Sequence, residues 1–181
     1  MARARILSVL VLAAVATVLI APAASAAIVN DVIDGITYTA DDSNFSAGAT
    51  ATAYDGVTQG TNIVIPATVN LAGTDYAVTT LGSGAFAAYA LTSVAIPNSV
   101  TFIANNVFSN NLLTSVTFSN ALSVIGDGAF DGNSLASVTL PSSLTVIGNF
   151  DFANNLLTSA TIPSAVTFIG NSAFATNPSL N

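Results

Sequence analysis

The chain has 181 residues, 52% of them hydrophobic and only 6% charged, with a formal net charge of −7, two basic residues and neither His nor Cys. Both bases, Arg3 and Arg5, lie within the first five residues, and all nine acids are Asp. Beyond Arg5 there is no cation to neutralise phosphates or anionic lipid and no imidazole, thiol or amine to move a proton or attack a carbonyl. Nucleic acid as a partner and most turnover chemistry are excluded on that ground.

The chain opens with Arg3 and Arg5, an apolar run from Ile6 to Ile20 and the small-residue stretch Ala24-Ser25-Ala26. These are the three parts of a secretory signal peptide, residues 1–26, with cleavage expected before Ala27. An apolar run of about 15 residues is short for a membrane span, and no later segment is longer, so no stable membrane insertion is expected after cleavage. Cleavage takes the formal charge from −7 to −9, because both positive charges leave with the signal. The remainder is long enough to bury a core without disulfides, so the lack of Cys is compatible with export. The expected location is secreted or on the cell surface.

Residues 27–77 carry six of the nine Asp residues. Strand-like runs occur at Ile36–Tyr38, Thr50–Tyr54 and Tyr76–Thr79. Asn62-Ile63-Val64-Ile65-Pro66 has the strand-plus-proline form of the repeats that follow, and an excursion around Asn70-Leu71-Ala72-Gly73-Thr74 reads as an inserted hairpin. This segment is read as an N-terminal β cap with a degenerate first coil, since terminal repeats of a solenoid meet water on one side.

Residues 78–181 repeat. Phe86, Phe108, Phe130, Phe152 and Phe174 recur every 22 residues, as do the columns Ile103, Ile125, Ile147, Ile169 and Leu91, Leu113, Leu135, Leu157 and Asn111, Asn133, Asn155, Asn177. A fixed period of this length is the mark of a solenoid. Alternation in Val94-Ala95-Ile96, Val116-Thr117-Phe118, Val138-Thr139-Leu140 and Ala160-Thr161-Ile162 predicts one strand per unit. Pro97, Pro141 and Pro163 end three of these strands. A Gly column (Gly82, Gly126, Gly148, Gly170, with Ala104 as the exception) marks a turn, and the Ala-Phe step is expected in a short helical or 3-10 turn that drops the ring inside. The Asn column is expected to bond backbone groups of the next coil. The Phe residues form a structural ladder. The fold class is therefore a mostly β repeat solenoid, a right-handed coil of 22-residue units with a parallel sheet and short helical turns, preceded by a β cap.

The unit Leu-x-x-Val-x-Ile-Pro-x-x-Val-x-x-Ile-Gly-x-x-Ala-Phe-x-x-Asn, fitted by residues 91–111, 113–133, 135–155 and 157–177, resembles the BspA-like, or Treponema pallidum-type, leucine-rich repeat. Gly35-Ile36-Thr37-Tyr38 through Ala77-Val78 is similar to the lead-in of such arrays. The resemblance implies an exported bacterial surface protein, and for several members adhesion to host matrix or cells. It carries no defined binding residues onto this sequence. Three departures stand out. Ser119 replaces the strand-ending proline. Asp151 takes the place of the Ala before the core Phe, where a carboxylate must reach water or a donor. The last unit stops at Asn181 before its next strand; the reading favours a fragment of a longer protein over Ala173-Phe174 as a minimal lid, and an open edge there invites edge-to-edge self-association.

No Gly-x-Ser-x-Gly turn is present and no His could activate a serine. Asp127, Asp131 and Asp151 occupy different columns, which argues against a glycosidase pair. The protein is read as non-catalytic, and no cofactor is implied. Asp31, Asp34, Asp41 and Asp42, with Asn30 and Asn44, could offer oxygen ligands to calcium, although no loop motif is present and Asp and Asn also suit plain turns.

The outward strand positions, Ser93, Ser115, Thr117, Ser137, Thr139, Ser159 and Thr161, form the candidate binding face, flanked by Thr101, Ser123, Thr145 and Thr167. Three readings stay open for this charge-free hydroxyl face: solubilisation of the sheet, adhesion to an extracellular protein or glycan, and a Thr ladder of the ice-binding kind. The apolar column Phe102, Val124, Val146, Phe168 is either a second core layer or an exposed stripe. Five strands about 4.8 Å apart, each exposing some three residues, present roughly 250 Å² of flat face, against about 800 Å² per partner in a standard interface. The favoured function is protein or cell adhesion. The alternative is a secreted glycan- or small-ligand-binding solenoid, with ice binding a remote third.

Overall fold

The structure is a computed structural model and describes residues 28–41, 48–57 and 59–180. The signal-peptide segment and residues Asp42 and Asn44 lie outside the described residues.

The cap begins with an antiparallel hairpin, β1 (Ile28–Ile33) and β2 (Ile36–Asp41). The hairpin is closed by Asp34 (φ 50°) and Gly35 (φ 78°), and two consecutive residues with φ > 0 are what a two-residue hairpin loop requires. Strand β3 (Ala49–Tyr54) continues the antiparallel sheet from β2 and then pairs parallel with β6 (Thr74–Leu81), so the cap passes into the solenoid at that junction. The excursion before β6 is a second hairpin, in which β5 (Thr68–Leu71) turns through Ala72 and Gly73 onto β6.

The later coils build two ladders rather than one, the first shorter than the second. The first ladder is parallel and joins β4 (Asn62–Val64), β7 (Ser93–Ala95) and β9 (Ser115–Thr117). The second extends β6 through the two-residue strands β8 (Phe102–Ile103), β10 (Val124–Ile125), β11 (Val146–Ile147) and β12 (Phe168–Ile169). The expected strands at 138–140 and 160–162 do not form as regular strands. The first ladder stops where Phe118 occupies a column otherwise filled by Ile96, Leu140 and Ile162. Its ring meets Phe130 edge-on at 5.4 Å and reaches Phe152 of the following coil at 6.4 Å, filling space between neighbouring coils.

The expected helical turn is also absent among the described residues. The Phe-bearing segment is a run of tight turns, because two columns sit in the left-handed region: Gly84, Asn106, Gly128, Phe150 and Ser172, then Ala88, Asn110, Gly132, Asn154 and Thr176, with φ between 52° and 67°. A left-handed residue on either side of the Phe breaks any helical run. The Gly column has a different cause. Gly148 has ordinary φ, but a Cβ there would lie 2.6 Å from the backbone of Gly126 and Asp127, so glycine is required by the close approach of the preceding coil.

The core is a stack of flat rings. Phe86, Phe108, Phe130, Phe152 and Phe174 stack successively at centroid distances of 5.2, 5.3, 5.4 and 5.5 Å, with Tyr54 of the cap 5.9 Å from Phe86. Four of the five are fully buried, and Phe174 is half-buried at the last coil. Each buried Phe contributes about 1.5–3 kcal/mol by leaving water. The Leu and Ile columns fill the rest, with Leu91, Leu113, Leu135, Leu157, Ile103, Ile125 and Ile147 at zero exposure and Ile169 open at 46%.

The Asn column closes the polar account of this edge, in the direction opposite to the expectation. Asn133 Oδ1 accepts from the N–H of Leu113 at 3.0 Å, while its Nδ2 donates to Phe108 O and Phe130 O, each at 3.0 Å. Asn111, Asn155 and Asn177 repeat the pattern. Each therefore ties its coil to the preceding one, because the loop has by then come round beneath it. Ser119, in the proline column, accepts from Leu122 N–H at 3.2 Å, just as Pro97, Pro141 and Pro163 accept in their own coils.

Candidate functional site

The candidate hydroxyl face falls into two parts. Ser93 pairs with Ser115 and Ala95 with Thr117 in the β4-β7-β9 ladder. Ser115 and Thr117 are exposed, whereas Ser93 is half-buried and donates to Asn62 Oδ1 at 2.8 Å. Ser137, Thr139, Ser159 and Thr161 are all exposed on the continuing, irregular segments. Thr139 and Thr161 are brought together at a hollow of about 400 Å³, lined also by Val138, Leu140, Ser142 and Pro163. No charged side chain lines it.

The flanking hydroxyl column does something else. Ser123 Oγ donates to Thr101 O at 3.0 Å, Thr145 Oγ1 to Ser123 O at 2.9 Å and Thr167 Oγ1 to Thr145 O at 3.2 Å. These hydroxyls stitch one coil to the next at the surface, so each is already engaged with a backbone carbonyl. The neighbouring apolar column is a partly open stripe rather than a second core layer, since Phe102 is 39% and Phe168 53% exposed.

The calcium candidates among the described residues are not gathered. Asp34 closes the first hairpin, while Asp41 pairs with Ile28 at its far end, five register steps from the Ile33↔Ile36 pair. Among the described residues no group of three or more His, Cys, Asp or Glu lies close enough to share a metal ion.

The opposite edge, formed by the tight turns, holds the second surface feature, which the sequence reading did not single out. Asn105, Asp127, Asn149 and Asn171 form a ladder: the Oδ1 of each of the first three accepts the backbone N–H of the residue 22 positions on, at 3.0, 2.8 and 2.8 Å. Asp127 Oδ1 also accepts from Asn149 Nδ2 at 3.1 Å, and Asp131 Oδ1 from Asn154 Nδ2 at 2.8 Å. Asp127, Asp131, Asn149 and Asn171, together with Asn106, Gly128 and Phe150, line a hollow of about 500 Å³. Phe150 is 52% exposed and has φ 55°. A signal for it was present in the sequence: it interrupts a column of turn formers, Gly84, Asn106, Gly128 and Ser172.

Its neighbour Asp151 points the other way. It occupies the column of Ala85, Val107, Ala129 and Ala173, is fully buried, and neither carboxylate oxygen has a hydrogen-bond partner. Burial pushes its pKa well above the ordinary 3.8. The nearby backbone N–H groups of Phe130, Ala129 and Gly148 favour the charged form and the charge of Asp127 disfavours it. None of those N–H groups closes a full hydrogen bond to the carboxylate, so burial decides.

Comparison with known proteins agrees with this architecture. Residues 51–181 match the model of the BspA type leucine rich repeat region in six copies. A leucine-rich repeat protein from Bacteroides ovatus superposes with a TM-score of 0.75 at 30% identity, covering 83% of this chain and 40% of that one. The leucine-rich repeat protein of Treponema pallidum gives 0.71 at 26% identity, covering 81% and 66%. A leucine-rich cell surface protein from Faecalibacterium prausnitzii gives 0.51 at 27% identity, covering 87% and 55%. This chain thus spans less than two thirds of the length of each of these three. No curated protein matches. Among the described residues no helix is long and apolar enough to cross a membrane. With a 22-residue coil, a stacked Phe ladder and a family match over most of its length, the chain belongs to the BspA-type leucine-rich repeat family.

Proposed function

We propose that this chain is an exported, surface-displayed, non-catalytic module that adheres to an extracellular protein through its Ser/Thr strand face. Export rests on the tripartite pattern of residues 1–26, and surface display on the likeness to a protein described as a leucine-rich cell surface protein. The observation that carries the contact surface is the row Ser115, Thr117, Ser137, Thr139, Ser159 and Thr161, exposed and free of charge in a chain whose acids lie elsewhere. Small hydroxyls order little side-chain entropy on binding and can donate and accept at once. The flat area of roughly 250 Å² is well below the roughly 800 Å² of a tight interface. Single copies therefore bind weakly, and adhesion comes from many copies displayed together.

The test is surface plasmon resonance of the chain, captured at low and at high density, against fibronectin, fibrinogen, laminin and collagen. Binding to at least one partner that strengthens steeply with density and is lost in Thr117→Lys/Thr139→Lys supports the proposal. Binding that ignores the double substitution, or no binding at high density, overturns it. Export is checked separately by secretion from a bacterial host and N-terminal sequencing, with Ala27 expected as the first residue.

A further inference from the structure

We propose that the hollow on the turn edge, centred on Phe150, is a binding site for a neutral saccharide. It lies on the edge away from the hydroxyl face and stands independently of the adhesion reading. Two consecutive residues break the repeat here in opposite directions. Phe150 puts an aromatic ring into solvent from a left-handed backbone (φ 55°), at a column where the other coils place Gly84, Asn106, Gly128 and Ser172. A bulky side chain in that region is a conformational outlier. Asp151 then places an unpartnered carboxyl in the core where the other coils have Ala or Val. Local rules that fail together in an otherwise regular fold mark a functional position.

The chemistry of the hollow selects the ligand class. Its volume of about 500 Å³ is that of a small-molecule pocket, about 300–1,000 Å³, but the hollow is open to solvent and would cover one face of a ligand rather than enclose it. The half-exposed ring of Phe150 offers a flat apolar platform, which suits the C–H face of a sugar ring. Around it stand the acceptors of Asp127 and Asp131 and the amides of Asn106, Asn149 and Asn171, which suit a rim of hydroxyls. The protein hydrogen bonds of both carboxylates use Oδ1, and neither Oδ2 is bonded to another described residue. Two carboxylates and no cation reject phosphorylated, sulfated or sialylated sugars, because each would bring a like charge into the hollow. Carboxylates and side-chain amides held by a ladder of backbone bonds also keep their geometry before a ligand arrives, which lowers the cost of binding.

The experiment probes the chain with an array of neutral and anionic oligosaccharides and follows the best neutral ligand by NMR titration. Four forms are compared: wild type, Phe150→Asn, Phe150→Tyr and Thr117→Lys/Thr139→Lys. Phe150→Asn copies Asn106, two coils earlier in the same column, and suits the same φ, so it is expected to fold. Millimolar or tighter binding to a neutral oligosaccharide is expected, weakened about tenfold by Phe150→Asn, kept in Phe150→Tyr and kept in the strand-face variant. No neutral ligand at millimolar concentration overturns the proposal. So do equal affinity in Phe150→Asn, loss only in the strand-face variant, preference for anionic sugars, or shifts around Phe150 produced by calcium chloride and by no saccharide.

Discussion

Replacing Asp151 by Ala is expected to stabilise the protein at neutral pH, and the gain should shrink in acid. The side chain is fully buried and both carboxylate oxygens lack partners. An unmet buried polar group costs about 1–3 kcal/mol, and a charged one more. Truncation to Ala restores the residue found at Ala85, Ala129 and Ala173, and the small void it leaves costs under about 1 kcal/mol. The net gain is about 2 kcal/mol near pH 7, or about 4–8 °C in the thermal midpoint of a domain of this size. The sign with pH follows from the raised pKa of the folded state. Folding favours the protonated form, so the stability that form gives is fully present below the ordinary value of 3.8 and is lost as pH rises through the raised one. Acid also relieves the mutual repulsion of the remaining Asp residues, a background that Asp151→Asn keeps while removing the titration. Thermal unfolding followed by circular dichroism at steps from pH 4 to 8 separates the two. The difference between wild type and Asp151→Asn should widen as pH rises. A constant difference, or an Asp151→Ala variant less stable than wild type at pH 7, would refute the reasoning.

Three further outcomes are expected. Phe130→Ala should cost about 3–5 kcal/mol, since the ring stacks on Phe108 and Phe152 and meets Phe118 edge-on; Phe174→Ala, at a half-buried ring with one stacking partner, should cost clearly less in the same denaturant titration. Asn133→Ala leaves Leu113 N–H and the Phe108 and Phe130 carbonyls without this partner, and hydrogen exchange should show loss of protection concentrated at coils 108–135, with a stability loss of about 3 kcal/mol or more. Phe150→Asn should leave stability equal or raise it by up to about 1 kcal/mol by relieving the left-handed strain, which a melting curve would contradict by falling.

Much of this architecture was legible because a period cannot be faked by composition. Once Phe86 to Phe174 recur at 22 residues, a stacked ladder is the arrangement that buries them all. The hairpin at Asn70–Thr74 was legible from turn residues alone. The backbone of the Phe-bearing segment was not. Ala and Phe at that step are compatible with a helical turn, and only the left-handed columns on either side, Gly or Asn in some coils but Ala88, Phe150, Ser172 and Thr176 in others, break it. The β8–β12 ladder was missed because two residues per strand are too few for alternation to register. The direction of the Asn bonds was missed because sequence order does not show which neighbouring coil an edge loop leans on. The strand-face residues other than the half-buried Ser93 were legible as outward-facing from alternation. Asp151 was legible as a departure from the Ala column, but the turn-edge hollow was not, because the exposure of Phe150 depends on a left-handed backbone that the repeat pattern does not show.

The most direct test of the functional account presents one set of extracellular matrix proteins to multivalent wild type, Thr117→Lys/Thr139→Lys and Phe150→Asn side by side. The account predicts protein binding by wild type and Phe150→Asn and loss in the strand-face variant. Equal binding by all three forms, or loss confined to Phe150→Asn, would contradict it.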